Sequence, residues 1–188
     1  MDKNEFRTFA RNKLANVTQK YQKNKLILER LDRLIKQIQK KHKIKNILSY
    51  MPLEAEPDVR RFNNECKKKF RCFIPFIQKV TFKMVRYRYP FSKSTFHTWQ
   101  SNPSAFYKQD LDIALVPVIG VDVDSRRIGF GKGMYDRFFQ KKKYKKIIII
   151  FIQLEQILSY QKITESFDIR CDYYVTATKK TKLSKHIG

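Results

Sequence analysis

A chain of 188 residues with 42% hydrophobic content, 15 Phe and 10 Tyr has the apolar material for one compact domain and its core, which argues against disorder. Its longest apolar run, 147–152, is strand-sized and far short of the roughly 18–20 residues that span a bilayer. The opening MDKNEFRTFARNKL is charged throughout and lacks a secretory apolar stretch, so a cytoplasmic location and no membrane partner are expected.

The formal charge of +24 attracts polyanions, and nucleic acid is a conceivable partner. The lysines are nevertheless spread along the chain, in clusters at 40–45, 67–69, 141–146 and 179–182, and no helix-turn-helix, zinc-finger or RRM signature accompanies them. A Lys-rich solvated surface is the preferred reading. Cys66, Cys72, Cys171, His42, His97 and His186 are scattered without zinc-ligand spacing, and an odd cysteine count fits reduced thiols better than a disulfide framework.

Two helices open the chain. Phe6, Phe9, Ala10 and Leu14 recur at helical spacing, while Lys3, Arg7 and Arg11 repeat every fourth residue on another face. Like charges at i,i+4 repel, so this stripe is either a solvated face or a row held toward an anion. Thr18 is the expected N-cap of the second helix, where Ile27, Leu31, Leu34, Ile35 and Ile38 form one core-facing stripe. Beyond it the pattern predicts a strand at 46–51 ended by Pro52, a helix at 58–69, and a strand at 70–74 stopped by Pro75. A strand at 80–87 and a long loop or hairpin at 90–109 follow. Strands at 111–116, 146–152 and 172–176 surround a loop that reaches Gly133 and a helix from Tyr135. This alternation predicts an α/β fold, a single-domain three-layer α/β/α sandwich with a mainly parallel, Rossmann-like sheet over 1–178. The residues 179–188 read as a basic tail.

Three of the five glycines, Gly129, Gly131 and Gly133, fall within five residues after a strand and before a helix. Glycine allows positive φ and close backbone approach, so successive N–H groups can converge on phosphate oxygens. A helix start adds its dipole there. Arg127 and Lys132 bracket the loop, and Asp136 could hold Mg2+ bridged to phosphates. The spacing fits neither a Walker A loop nor G-x-G-x-x-G, so these residues alone define a generic anion loop.

The run 117–139, PVIGVDVDSRRIGFGKGMYDRFF, resembles without a gap the signature P-G-x-x-F-D-x-x-G-x-R-L-G-x-G-x-G-Y-Y-D of the 5-formyltetrahydrofolate cyclo-ligase family. The resemblance extends over nearly the whole chain. Lys3 and Arg7 match an opening K-x-x-x-R helix, SYMPLE at 49–54 matches a Y-x-P-x-x-E-type segment, and Gln156 with FDIRCDYYVT at 167–176 matches the ending. Val118 and Ser125 stand where the family has glycines, Val121 where it has Phe, Met134 where it has Tyr and Phe167 where His is usual.

The resemblance implies an ATP- and Mg2+-dependent ligase that converts 5-formyltetrahydrofolate, in some cases polyglutamylated, to 5,10-methenyltetrahydrofolate. ATP phosphorylates the formyl oxygen, N10 closes onto that carbon, and phosphate leaves with ADP as the other product. Arg127 and Lys132 are then expected to be catalytic. Lys3, Arg7, Arg127, Ile128, Gly129, Phe130, Gly131, Lys132, Gly133, Met134 and Tyr135 are expected around ATP. Tyr50, Glu54, Phe130, Gly131, Lys132, Gly133 and Met134 are expected around the folate, and Asp136 and Asp168 on Mg2+. Trp99 is expected as core or rim, and the protein as a monomer. The alternatives are a nucleic-acid-binding relative without the reaction, and a nucleotide-dependent enzyme acting on another pteridine.

Overall fold

The computed structural model describes residues 1–93, 99–101, 105–108, 110–140, 147–178 and 180–182. Helix α1 (Lys3–Ala15) begins in a capping box. Asp2 Oδ1 accepts from the N–H groups of Asn4 (2.7 Å) and Glu5 (2.8 Å), while Glu5 Oε2 accepts from Asp2 N–H (2.7 Å). Those two backbone donors hold the Asp2 carboxyl below its usual range. Helix α2 (Lys20–Gln39) starts one residue later than Thr18 predicts. Its N-cap is Gln19 at φ 53°, with no side-chain cap, and its stability rests on the buried stripe Ile27, Leu31, Leu34, Ile35 and Ile38.

Strand β1 (Asn46–Leu48) is shorter than the predicted run, and helix α3 (Arg60–Lys69) follows. Strand β2 (Arg71–Gln78) runs through Pro75, where a stop is expected. It pairs antiparallel with β3 (Thr81–Arg86), and Tyr87 N–H donating to Cys72 O sets the phase of that ladder. Pro75 therefore sits at a non-hydrogen-bonded position toward β3, and its nitrogen faces the flank that the short β1 has left. A hairpin of β4 (Phe91–Lys93) and β5 (Trp99–Ser101) realises the second of the two readings of 90–109.

Strand β6 (Ile113–Pro117), the small hairpin β7 (Gly120–Val121) and β8 (Arg127–Ile128), helix α4 (Met134–Gln140), β9 (Ile148–Ile152) and β10 (Tyr173–Val175) complete the α/β order. Within the expected tail, residues 180–182 form β11 (Lys180–Lys182), antiparallel to β10. The lysine cluster at 141–146, His97, Lys179, His186 and the rest of the tail at 183–188 lie outside the described residues.

The seven-stranded sheet has the order β11-β10-β9-β6-β1-β2-β3 and is parallel through its centre, with an antiparallel strand at each edge. Residues on one face, among them Ile47, Ile113, Leu115, Ile150 and Val175, pack against α2 and α3. Alternate residues, Leu48, Ala114, Val116, Ile149 and Phe151, pack against Phe138 and Phe139 of α4. Phe6, Ala10 and Leu14 of α1 join Ile119, Ile128 and Ile157 in a third cluster. The result is the three-layer sandwich the pattern predicts. Cys66, Cys72 and Cys171 are buried and unlinked. No described helix is long and apolar enough to cross a membrane.

Candidate functional site

Beyond the C-terminal ends of β1 and β6 the chain leaves the sheet in opposite directions and opens a crevice, the usual ligand position in an α/β sheet. An apolar pocket of about 210 Å³ lies there, lined by Tyr50, Met51, Leu53, Glu56, Pro75, Ile77, Phe82, Trp99 and Pro117 from the sheet side, and by Arg127, Phe130, Lys132, Gly133, Met134 and Tyr135 from the loop. Glu56 is the acid of this pocket. Burial pushes its carboxyl up to about 7, against the stabilising Leu53 N–H that donates to Oε2 (2.9 Å) and the nearby Arg127 charge. The expected acid, Glu54, is exposed and lines neither the pocket nor the groove described below. Tyr50 donates its hydroxyl to Pro57 O (2.9 Å), and burial raises its phenol well above the ordinary value, as it does for Tyr135.

Next to the pocket is a groove of about 480 Å³ lined by Lys3, Arg7, Arg127, Gly129, Gly131, Gly133, Asp136, Arg137, Gln140, Phe167 and Asp168. Lys3 and Arg7 of the α1 stripe line it, and Arg11 reaches the adjoining loop. Lys3 Nζ pairs with Asp168 Oδ2 (2.5 Å), Arg7 Nε donates to Gly129 O (2.9 Å), and Arg11 Nη2 donates to Phe130 O (3.0 Å). These three partners account for a spacing that helix stability alone disfavours. Phe167 puts its ring under Lys3, with Nζ 5.7 Å from the centroid.

Arg127 and Gly133 line both concavities. The Arg127 guanidinium is buried, donates from Nη1 to Asp136 Oδ2 (3.1 Å) and from Nε and Nη2 to Pro117 O (3.3 and 3.2 Å), and lies 5.1 Å from the Tyr135 ring centroid. Gly129 leaves room for it, because a Cβ there would collide with the guanidinium that these hydrogen bonds hold in place. Gly131 and Gly133, at φ 106° and 56°, supply the left-handed turns of the loop. α4 has seven residues, so most of the positive field comes from Lys3, Arg7 and Arg127, and less from the dipole.

The segment 164–168 is tied to the segment 122–126, which leads into the glycine loop, by side chains. Asp122 Oδ1 accepts from Asp124 N–H (3.0 Å) and Arg126 N–H (3.1 Å), and its Oδ2 accepts from both Thr164 N–H and Thr164 Oγ1. Arg126 Nη1 donates to Ser166 O (2.8 Å) and Asp168 O (2.6 Å). Asp168 thereby reaches Lys3 from 165 residues away.

Asp136 and Asp168 are the carboxylates of the groove. Among the described residues Oδ1 of Asp136 accepts one long bond, from Ile169 N–H (3.3 Å), while Oδ2 of Asp168 takes both Lys3 and Glu165 N–H (2.7 Å). A carboxylate has about four acceptor sites, so this pair suits a divalent cation that draws its other ligands from phosphate and water. Among the described residues no group of three or more His, Cys, Asp or Glu could hold a metal by itself.

Of the residues expected around ATP, the groove gathers Lys3, Arg7, Arg127, Gly129, Gly131 and Gly133, whereas Phe130, Lys132, Met134 and Tyr135 line the pocket. Ile128 lines neither; it is buried in the cluster under α1. Tyr50, Phe130, Lys132, Gly133 and Met134 do line the pocket expected for folate, and Trp99 joins its wall. Glu56, Arg11, Arg126 and Asp122 complete the set. Arg11 is visible as the third member of the α1 stripe; Glu56 has no comparable signal in its neighbourhood.

A mainly parallel α/β sandwich with an apolar pocket and a cationic glycine-loop groove meeting at one arginine defines a small-molecule site built for an anion beside a hydrophobic group. The model of the 5-formyltetrahydrofolate cyclo-ligase family matches residues 1–176, and the chain belongs to that family. It is 26% identical over 127 residues to the 5-formyltetrahydrofolate cyclo-ligase of Mycoplasma pneumoniae, spanning 58% of this chain and 73% of the relative. The fold is that of the 5,10-methenyltetrahydrofolate synthetase of Aquifex aeolicus (TM-score 0.80, 20% identity, 100% of this chain and 95% of that one). It is also that of a 5,10-methenyltetrahydrofolate synthetase from Mycoplasma pneumoniae (TM-score 0.72, 23% identity, 93% and 98%).

Proposed function

We propose that this chain converts 5-formyltetrahydrofolate to 5,10-methenyltetrahydrofolate in an ATP- and Mg2+-dependent reaction that releases ADP and phosphate. The observation that carries the reading is that Arg127 and Gly133 line both the apolar pocket and the cationic groove. A pterin in the pocket and a triphosphate in the groove then meet at one guanidinium. The formyl oxygen attacks the γ-phosphorus and ADP leaves; N10 attacks the formyl carbon, gives up its proton to solvent, and phosphate departs with that oxygen.

Phosphoryl transfer needs in-line positioning and stabilisation of spread negative charge, with little covalent help. Lys3, Arg7 and the loop N–H groups hold the triphosphate, and Arg127 stabilises the transferring group. Lys132 sits on the pocket side of the same loop, toward the oxygen that receives the phosphoryl group. Asp136 and Asp168 are the residues that would hold Mg2+, which neutralises phosphate charge when bound. Glu56, ionised, accepts from ring N–H donors, and Tyr50, Met134 and Trp99 exclude water around the ring system.

The test is turnover by purified protein with MgATP and 5-formyltetrahydrofolate, followed by the near-UV absorbance of the methenyl product. Trp99 is the one tryptophan of the chain, so its fluorescence reports pocket occupancy separately from chemistry. Folate binding without turnover would refute the reaction while keeping the pocket. No response in either assay, from folded protein, would refute both.

A further inference from the structure

A second cluster of cations, apart from those of the groove, lies at the opposite edge of the sheet. β1 and β2 are parallel and in register from Asn46 and Arg71, and Arg71 N–H donates to Lys45 O (2.8 Å). The segments that lead into these strands therefore run side by side, where α2 and α3 end, away from Tyr50 and Pro117. They carry Lys40, Lys41, Lys43, Lys45, Lys67, Lys68, Lys69 and Arg71 and no acid. All eight are exposed except the half-buried Lys67. Because β3 is antiparallel to β2, its end brings Arg86 and Arg88 to the same edge, with Tyr87 and Tyr89. Lys67 Nζ lies 5.5 Å from the Tyr87 centroid and 4.9 Å from that of Tyr89, which is 63% exposed and packs edge-on against Phe91 at 4.6 Å.

Three acids offset part of this and leave the edge strongly cationic: Glu65 is paired with Lys68, Asp112 Oδ2 accepts from the backbone N–H groups of Lys45 (2.7 Å) and Asn46 (2.8 Å), and Asp110 lies beside Asn46. Helix C-termini favour cations, which accounts for Lys40 and for Lys67 to Lys69. That effect fades within one turn and leaves Lys43, Lys45, Arg71 and Arg88 unexplained, as it does an exposed tyrosine set among them.

We propose that this edge binds single-stranded nucleic acid, with backbone phosphates along the lysine row and a base stacked on Tyr89. The pocket opens beyond the other ends of the strands and the groove lies on the α4 face, so neither ATP nor a folate tail is the occupant. An anionic membrane fits less well, since Tyr89 is the one large apolar side chain exposed on this edge among the described residues, and surface-lying membrane elements bury an apolar face.

The experiment is an anisotropy titration of a labelled oligouridylate of about 20 nucleotides with the full chain over a series of salt concentrations. Log affinity is expected to fall with log salt by roughly 0.7 for each phosphate neutralised. The combined variant Lys68→Glu, Lys69→Glu, Arg71→Glu should lose more than tenfold in affinity and flatten that slope. Tyr89→Ala should lose about tenfold at every salt concentration with the slope unchanged. Both variants should keep the parental melting temperature, and saturating MgATP should not displace the oligonucleotide. The proposal is overturned by an equal loss in the control Lys13→Glu, Lys20→Glu, Lys25→Glu, which makes the same change in charge elsewhere. Displacement by MgATP, or binding to phosphatidylserine vesicles without affinity for the oligonucleotide, overturns it equally.

Discussion

The pocket and the groove share Arg127 and Gly133 but differ in what holds their walls. One wall of the pocket continues the sheet: Tyr50, Pro75, Phe82 and Pro117 come from β1, β2, β3 and β6 or the residues next to them, already fixed by the core. Groove walls come from α1, the glycine loop, α4 and the segment around Asp168. They are joined by polar tethers, Lys3 to Asp168, Arg7 to Gly129 O and Arg126 to Asp168 O. Packing is paid for once by the whole fold, whereas each tether can be lost separately. The pocket should therefore tolerate changes that dismantle the groove, and four substitutions test that contrast.

Arg127→Ala is expected to do the most, because it belongs to both sites. Asp136 would be left as a buried, unpaired carboxylate, a loss of about 3–5 kcal/mol, and turnover should fall roughly 10²–10³-fold or more. Denaturant melts and the absorbance assay measure the two losses. Retained folate-induced change in Trp99 fluorescence would sharpen the contrast; loss of that signal in folded protein would break it.

Glu56→Gln probes the pocket through pH. Burial raises the Glu56 carboxyl from 4.5 to about 7, so between those values the folded protein keeps a proton that the unfolded chain has lost. Stability therefore falls as pH rises through that window, by about 3 kcal/mol, and levels off above it. The neutral variant should show a correspondingly flatter profile in melts at pH 4.5, 6 and 8. An unchanged profile would remove Glu56 as the pocket's titrating group.

Gly129→Ala should cost about 1–3 kcal/mol, as expected for overpacking. Its Cβ would collide with the Arg127 guanidinium, so turnover should drop with stability. Ser125→Gly should have the smallest effect. Ser125 occupies φ 59° at a position where the resembling family has glycine, and relieving that strain should raise stability by up to about 1 kcal/mol. Thermal melts would show it, and pocket occupancy should not change.

The same contrast governs how much could be read from the chain. The buried stripe of α2, the alternation of helices and strands and the glycine cluster are legible because they depend on residues close in sequence. Pro75 misleads, since a proline within a strand is tolerated only where its nitrogen needs no partner, and that depends on where β1 stops. Glu54 and Glu56 lie two residues apart in an irregular turn with no periodicity to say which is buried. The basic stripe of α1 is visible at once, but its partners lie 119 to 165 residues away.

By itself, then, the sequence determined the helical and strand segments and the glycine loop, because backbone propensity and side-chain period act over a few residues. Through its signature it also pointed to the family. The tertiary structure decided which acid enters the pocket, what the α1 cations hold, and that Arg127 stands between two sites. Burial and ion pairing are fixed only when distant segments meet.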